Sequence, residues 1–136
     1  MIKQLILKHG ISHAQETYGY NRVTLTDTST GKKYSAVGGG YDMVGAVFGE
    51  WLQDNCQDAL LAITHKAYYT YDSKTLSYND SPCQIKLYGM TAYTHNEYVE
   101  LDGACGLKSM LDIAKAIGLD MQRQVDNKGR LIGFFV

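Results

Sequence analysis

Residues 33–52 read Lys33-Tyr34-Ser35-Ala36-Val37-Gly38-Gly39-Gly40-Tyr41-Asp42-Met43-Val44-Gly45-Ala46-Val47-Phe48-Gly49-Glu50-Trp51-Leu52. Within this stretch the apolar spacing changes from that of a strand to that of a helix. Lys32 to Val37 is the second arm of a hairpin whose first arm runs from Arg22 to Thr26, where Val23 and Leu25 alternate with polar neighbours. Asp27-Thr28-Ser29-Thr30-Gly31 joins the arms, a turn with a glycine free to take positive φ. Three glycines then release the backbone, and Asp42 stands where its carboxylate can accept from the first free amides of a helix. Val44, Val47, Phe48, Trp51 and Leu52 follow at i, i+3, i+4, i+7 and i+8, a single apolar stripe.

A straight continuation would turn Asp58 toward that stripe, whereas Glu50 and Asp54 stay off it. The helix is therefore expected to break near Asn55 to Asp58 and to resume as a short piece over Ala59 to Ile63. Gly45 and Gly49 lie one turn apart on another flank, each costing about 1 kcal/mol relative to Ala, which points to the close approach of another backbone.

Outward from this stretch, Ile2 to Leu7 reads as a buried strand and His9 to Tyr20, without a clear period, as loop. His65 to Ser81 holds Tyr68, Tyr69, Tyr71 and Tyr78 among polar residues, with Pro82 just beyond, and reads as a mobile loop or exposed hairpin. Ile85 and Leu87, then Tyr98, Val99 and Leu101, suggest two strands separated by Gly89 to Asn96. Asp102-Gly103-Ala104-Cys105-Gly106 opens a second helix with Leu107, Met110, Leu111, Ala114 and Ile117 on one face and Gly118 as its left-handed cap. Met121, Arg123 and Val125 alternate into a turn at Asp126 to Gly129, and Arg130 to Val136 closes as a hydrophobic strand. The order predicts one α+β domain over residues 1–136, with an antiparallel or mixed β-sheet and two principal helices. Tyr34 to Val37 before Gly39 and a helix parallels Tyr98 to Leu101 before Gly103 and a helix, which suggests a pseudo-repeat of strand, glycine loop and helix.

The 136 residues carry 13 Lys and Arg against 14 Asp and Glu, a net charge of -1. That balance exerts no bulk pull on phosphate backbones or anionic lipid, so nucleic acid is disfavoured as a partner unless a local patch provides for it. No apolar stretch approaches the roughly 20 residues of a membrane span, and Met1 to Lys8 falls short of an export signal. Cys56, Cys83 and Cys105 are odd in number and widely spaced, which fits a reducing cytoplasm better than a disulfide framework.

Chemistry-bearing motifs are sparse. The Gly38 to Gly40 loop is followed by no Gly-Lys-Ser/Thr, and a carboxylate at Asp42 would repel a phosphate. Cys105, at a helix start, is the one candidate nucleophile, but no motif places His13, His65 or His95 beside it, and packing is the commoner role of such a thiol. His9 and His13 are four apart without helical periodicity. No catalytic, cofactor-binding or metal residue is assigned, and no cofactor is expected. Tyrosine is abundant, at 11 residues. Tyr34 and Tyr98 fit core positions of strands. Tyr68, Tyr69, Tyr71 and Tyr78 fit a core poorly and suit a partner-binding segment, with Glu50 and Asp54 as an acidic rim. Lys66 and Lys74 near them are balanced by Asp72 and Asp80, so a protein partner is preferred over nucleic acid.

The run Gly38-Gly39-Gly40-Tyr41-Asp42 leading into Gly45-Ala46 and Gly49-Glu50 resembles small proteins of phages and prophages of Gram-positive and gut bacteria. Tyr88-Gly89, and Asp102-Gly103-Ala104-Cys105-Gly106 leading through Ile113-Ala114 to Ile117-Gly118, are similar to their second half. The resemblance implies a mobile-element setting in a bacterial cytoplasm and transfers no catalytic residue. The expected function is a small phage-type accessory protein that binds a host protein and inhibits it, such as an anti-defence or anti-CRISPR factor. The alternatives are a nucleic-acid-associated accessory protein and a small enzyme using Cys105. Association with a second copy, as a homo-oligomer, is open to this chain.

Overall fold

The computed structural model describes residues 3–11, 21–38, 43–70, 83–88, 90–94, 97–101 and 107–136. In chain order the elements are β1 (Gln4–Ile11), β2 (Asn21–Asp27), β3 (Lys33–Gly38), α1 (Met43–Asn55), α2 (Gln57–Thr70), β4 (Cys83–Leu87), β5 (Met90–Thr94), β6 (Val99–Leu101), α3 (Leu107–Ala116), β7 (Gln122–Val125) and β8 (Leu131–Phe135). They form a five-stranded sheet in the order β3-β2-β1-β8-β7 and a three-stranded sheet in the order β4-β5-β6. Every pairing is antiparallel. The fold is α+β.

Alternation along β1 and β2 sends Leu5, Leu7, Val23, Leu25 and Asp27 to one face, where they are buried, and Lys8, Arg22, Thr24 and Thr26 to the other. Phe134 joins the buried face opposite Leu5. The α1 stripe of Val47, Phe48, Trp51 and Leu52 covers it, with the Phe48 ring stacked on Phe134 at 5.4 Å and on Trp51 at 6.0 Å between centroids. From its other side α1 receives α3, whose Met110, Ile113 and Ala114 are buried. A β-carbon at Gly49 would lie 2.8 Å from the Met110 Cε. The glycine thus makes room for a side chain, and the expected close approach of a second backbone is replaced by Met110.

The break after α1 falls where the stripe demanded it. Cys56 alone is non-helical, yet its N–H donates to the Leu52 carbonyl at 2.8 Å and its own carbonyl accepts from Leu60 at 2.9 Å. Beyond the break Leu60 is buried and Asp58 is exposed. Gly118, at φ 90°, closes α3 as the left-handed cap.

Four expectations are corrected. There are three helices among the described residues, because the piece after the break is a helix of 14 residues that continues to Thr70 through positions read as loop. A helix already nucleated extends through His, Tyr and Thr at only tenths of a kcal/mol per residue, about 0.7 at most. β1 runs on to Ile11, its register carried by β2 pairing and not by its own period. Residues 90–94 are a strand, β5; its buried positions are Ala92 and Thr94, too small and too polar to show an apolar alternation. Tyr98 is 46% exposed and not core. β3 and β6 each precede a helix, but they lie in sheets of different size and are six and three residues long. No described helix is long and apolar enough to cross a membrane.

Candidate functional site

The turn after β2 places a carboxylate in the core. Asp27 is 1% exposed. Its Oδ1 accepts from the Ser29 N–H at 2.9 Å and the Ser29 hydroxyl at 2.6 Å, and its Oδ2 accepts from the Trp51 indole Nε1–H at 3.0 Å. Burial pushes this carboxyl up, but the bonds from Ser29 and Trp51, with the charge of Lys3, outweigh it and hold the pKa below the ordinary value of 3.8. The arrangement ties the hairpin to α1 and keeps the carboxylate away from solvent. Because the folded state binds this proton less readily, its stabilisation is present above the ordinary pKa and is lost as pH falls through the depressed one. Asp27→Asn therefore lowers stability at neutral pH by about 1–3 kcal/mol and makes the loss on acidification below about pH 4 shallower, read by urea unfolding at a series of acid pH values.

A second cluster forms where α1 ends. Asp54 Oδ2 accepts from Lys32 Nζ at 2.6 Å and from the Tyr34 hydroxyl at 2.5 Å, and Asn55 Nδ2 donates to Tyr34 Oη at 3.3 Å. The Lys32 and Tyr34 bonds hold the Asp54 carboxyl below its usual range, while burial and the Asp54 bond raise Tyr34. Asp54 is thus engaged within the chain. Glu50, one turn earlier, is exposed, with its carboxyl raised by desolvation. Beside the cluster an open cleft of about 410 Å³ is lined by Asp54, Cys56, Asp58, Ile117 and Leu119 among others. The half-buried Cys56 thiol is pushed up by burial, with the Lys3 charge opposing, so it is the reverse of an activated thiolate.

Glutamines, which the sequence did not single out, join the two sheets' layers. Gln57 Nε2 donates to the Val99 carbonyl at 2.9 Å, and its Oε1 accepts from the Val99 N–H at 2.9 Å. Gln53 Oε1 accepts from the Leu101 N–H at 2.5 Å. These side chains take the place of a neighbouring strand along the outer edge of β6 and close it against pairing with another chain.

Of the tyrosines expected to bind a partner, Tyr68 and Tyr69 lie in the last turns of α2, and Tyr71 and Tyr78 fall outside the described residues. A further tyrosine stands out that the sequence reading used only for its resemblance. Leu87 pairs with Met90, so β4 and β5 are joined by Tyr88 and Gly89 alone, and Tyr88 takes φ 50°. Its carbonyl accepts from the Ser109 hydroxyl of α3 at 2.8 Å, and the residue is 52% exposed. Two-residue hairpin connections demand positive φ at their first residue and favour Asn, Asp or Gly there, which is the signal that could have flagged a tyrosine at this place.

Cys105, His13, His95, Asp42 and the glycines at 39 and 40 fall outside the described residues; His9 lies in β1 and His65 in α2. Among the described residues, no group of three His, Cys, Asp or Glu is placed to hold a metal ion. Compared with known proteins, the chain matches no family model, no curated protein and no solved structure.

Proposed function

We propose that this chain is a small phage-type accessory protein of the bacterial cytoplasm that acts by docking onto a host protein, as an anti-defence or anti-CRISPR factor would. The observation that carries the reading is Tyr88. A non-glycine residue held in the left-handed region costs about 1–2 kcal/mol. The hairpin and the Ser109 bond hold its backbone, but Asn or Gly would fill that turn at less cost, and the tyrosine side chain itself is 52% exposed. A stiff aromatic ring with a polar tip, presented at the end of a hairpin, is the kind of anchor that concentrates binding energy in protein interfaces. Tyr68 and Tyr69, with Tyr71 and Tyr78 after them, supply further aromatic area on the chain leaving α2. Glu50 is exposed and adds an acidic group that a basic partner could meet.

Tyr88→Asn tests the reading because fold and function move in opposite directions. Its melting temperature equals or exceeds that of the parent, since Asn holds positive φ more readily. Affinity for the protein captured from host lysate, titrated by calorimetry, falls at least tenfold, a loss of about 1.4 kcal/mol. The paired change Tyr69→Ala with Tyr71→Ala lowers it as well. Parent-like affinity in both variants would remove the docking reading.

A further inference from the structure

We propose that the outward face of the five-stranded sheet binds single-stranded nucleic acid, holding its phosphates with Lys8, Arg22 and Lys33. This surface lies on β1, β2 and β3 and is independent of the host-protein reading, which rests on Tyr88.

The face is defined by register. Lys8 pairs with Thr24, Gly10 with Arg22 and Ile6 with Thr26 across β1 and β2; Thr24 pairs with Ser35, Arg22 with Val37 and Thr26 with Lys33 across β2 and β3. All of these point away from Leu5, Leu7, Val23, Leu25 and Tyr34, which α1 covers. Lys8, Arg22, Lys33, Ser35 and Val37 are exposed. Lys8 and Arg22 are diagonal neighbours on adjacent strands, with β-carbons about 7–8 Å apart. Lys33 lies four positions along β2 from Arg22 on the other side, so the three cations span the sheet.

Charge on this sheet is segregated. Its strands carry one carboxylate, Asp27, and that one is buried on the opposite face. The described exposed carboxylates lie off these strands, Glu50, Asp54 and Asp58 on the helices, Asp120 in the connection from α3 to β7, and Glu97 and Glu100 at the small sheet, while the partly exposed Asp126 sits in the turn after β7, beyond β8 from the three cations. No ion pair among the described residues engages Lys8, Arg22 or Lys33. Between the cations stand neutral hydrogen-bonding groups. Thr24 and Ser35 hydroxyls are 3.1 Å apart there, and farther across the face, toward β8 and β7, Gln4 Nε2 donates to Gln124 Oε1 at 3.2 Å. Cations, hydroxyls and amides on strands that turn no carboxylate to this face are complementary to a polyanion that also accepts hydrogen bonds along its backbone. Val37, 41% exposed, and Phe135, half-buried opposite Gln4 on the same face, offer apolar surface to unstacked bases. None of the described residues on this face belongs to a helix that could enter a duplex groove, and an open sheet suits a single strand laid across it.

The test is fluorescence anisotropy of a labelled oligothymidylate titrated with the full chain at several salt concentrations. The expected result is binding whose log K falls against log salt with a slope of about −2, as three phosphate contacts require. Replacing Lys8, Arg22 and Lys33 together by Gln lowers affinity at least tenfold and flattens that slope, with the melting temperature unchanged because all three side chains are exposed. Arg22→Gln alone reduces the slope by about 0.7. Salt-insensitive binding, parent-like binding by the triple variant, tighter binding of a duplex of the same sequence, or equal displacement by poly-L-glutamate would each overturn the proposal.

Discussion

Trp51→Ala destabilises the protein by about 3–5 kcal/mol, read as the shift in its urea unfolding transition. Two losses combine. The indole is 2% exposed and stacked at 6.0 Å on Phe48, which in turn stacks on Phe134 of β8, so its removal opens a cavity between α1 and the five-stranded sheet. The same change takes the Nε1–H donor from Asp27, whose Oδ2 then stays buried with one partner fewer. Trp51→Phe separates the two. It keeps most of the ring and loses the donor, and it costs about 1–3 kcal/mol. In that variant the Asp27 carboxyl loses one of the bonds that lower its pKa, so less stability remains to be lost on acidification and the decline below about pH 4 is shallower than in the parent. A loss below about 1 kcal/mol for Trp51→Ala would contradict the packing described for α1.

Gln57→Ala costs about 2–4 kcal/mol, and the loss is concentrated in the small sheet. The substitution strips the partner from both the N–H and the carbonyl of Val99, a residue buried completely. Leu101, whose N–H is held by Gln53 at 2.5 Å, remains tied to α1. Hydrogen exchange reads the difference residue by residue: the Val99 amide loses its protection, while amides of β1 and β2 at the centre of the large sheet keep theirs relative to global stability. Gln57→Glu tests the pairing itself, because a carboxylate accepts from the Val99 N–H but cannot donate to the Val99 carbonyl. It lies between the parent and Gln57→Ala.

Local pattern carried most of the fold. The five apolar positions from Val44 to Leu52 determined that a helix stands there and which side it buries, since 100° per residue admits one stripe. The alternation at Val23 and Leu25, the Asp27 to Gly31 turn and the Asp126 to Gly129 turn located two hairpins for the same reason, that turn dihedrals select their residues. The break at Cys56 was legible because Asp58 would otherwise have entered the stripe. What escaped local pattern was held by partners distant in sequence. β5 buries Ala92 and Thr94, which advertise nothing, and becomes a strand because β4 and β6 flank it. The end of β1 is set by β2, and α2 outlasts its apolar residues because propagation from a formed helix is inexpensive.

The candidate surfaces divide in the same way. Sequence alone determined that the chain has an α+β order, a helix-covered apolar face, abundant tyrosine and no recognisable catalytic motif, because these depend on spacing and composition. It did not determine which charges share a face. A net charge of -1 averages over the whole surface, whereas the register of β1, β2 and β3 gathers Lys8, Arg22 and Lys33 on one side and sends their only carboxylate, Asp27, to the other. Tertiary structure alone likewise decided that Tyr88 sits at positive φ in the light, that Asp54 answers to Lys32 and Tyr34, and that Gln57 completes an edge 42 residues away. Each of these is a pairing across the fold, and a pairing is a property of where the strands meet, which no local window of sequence contains.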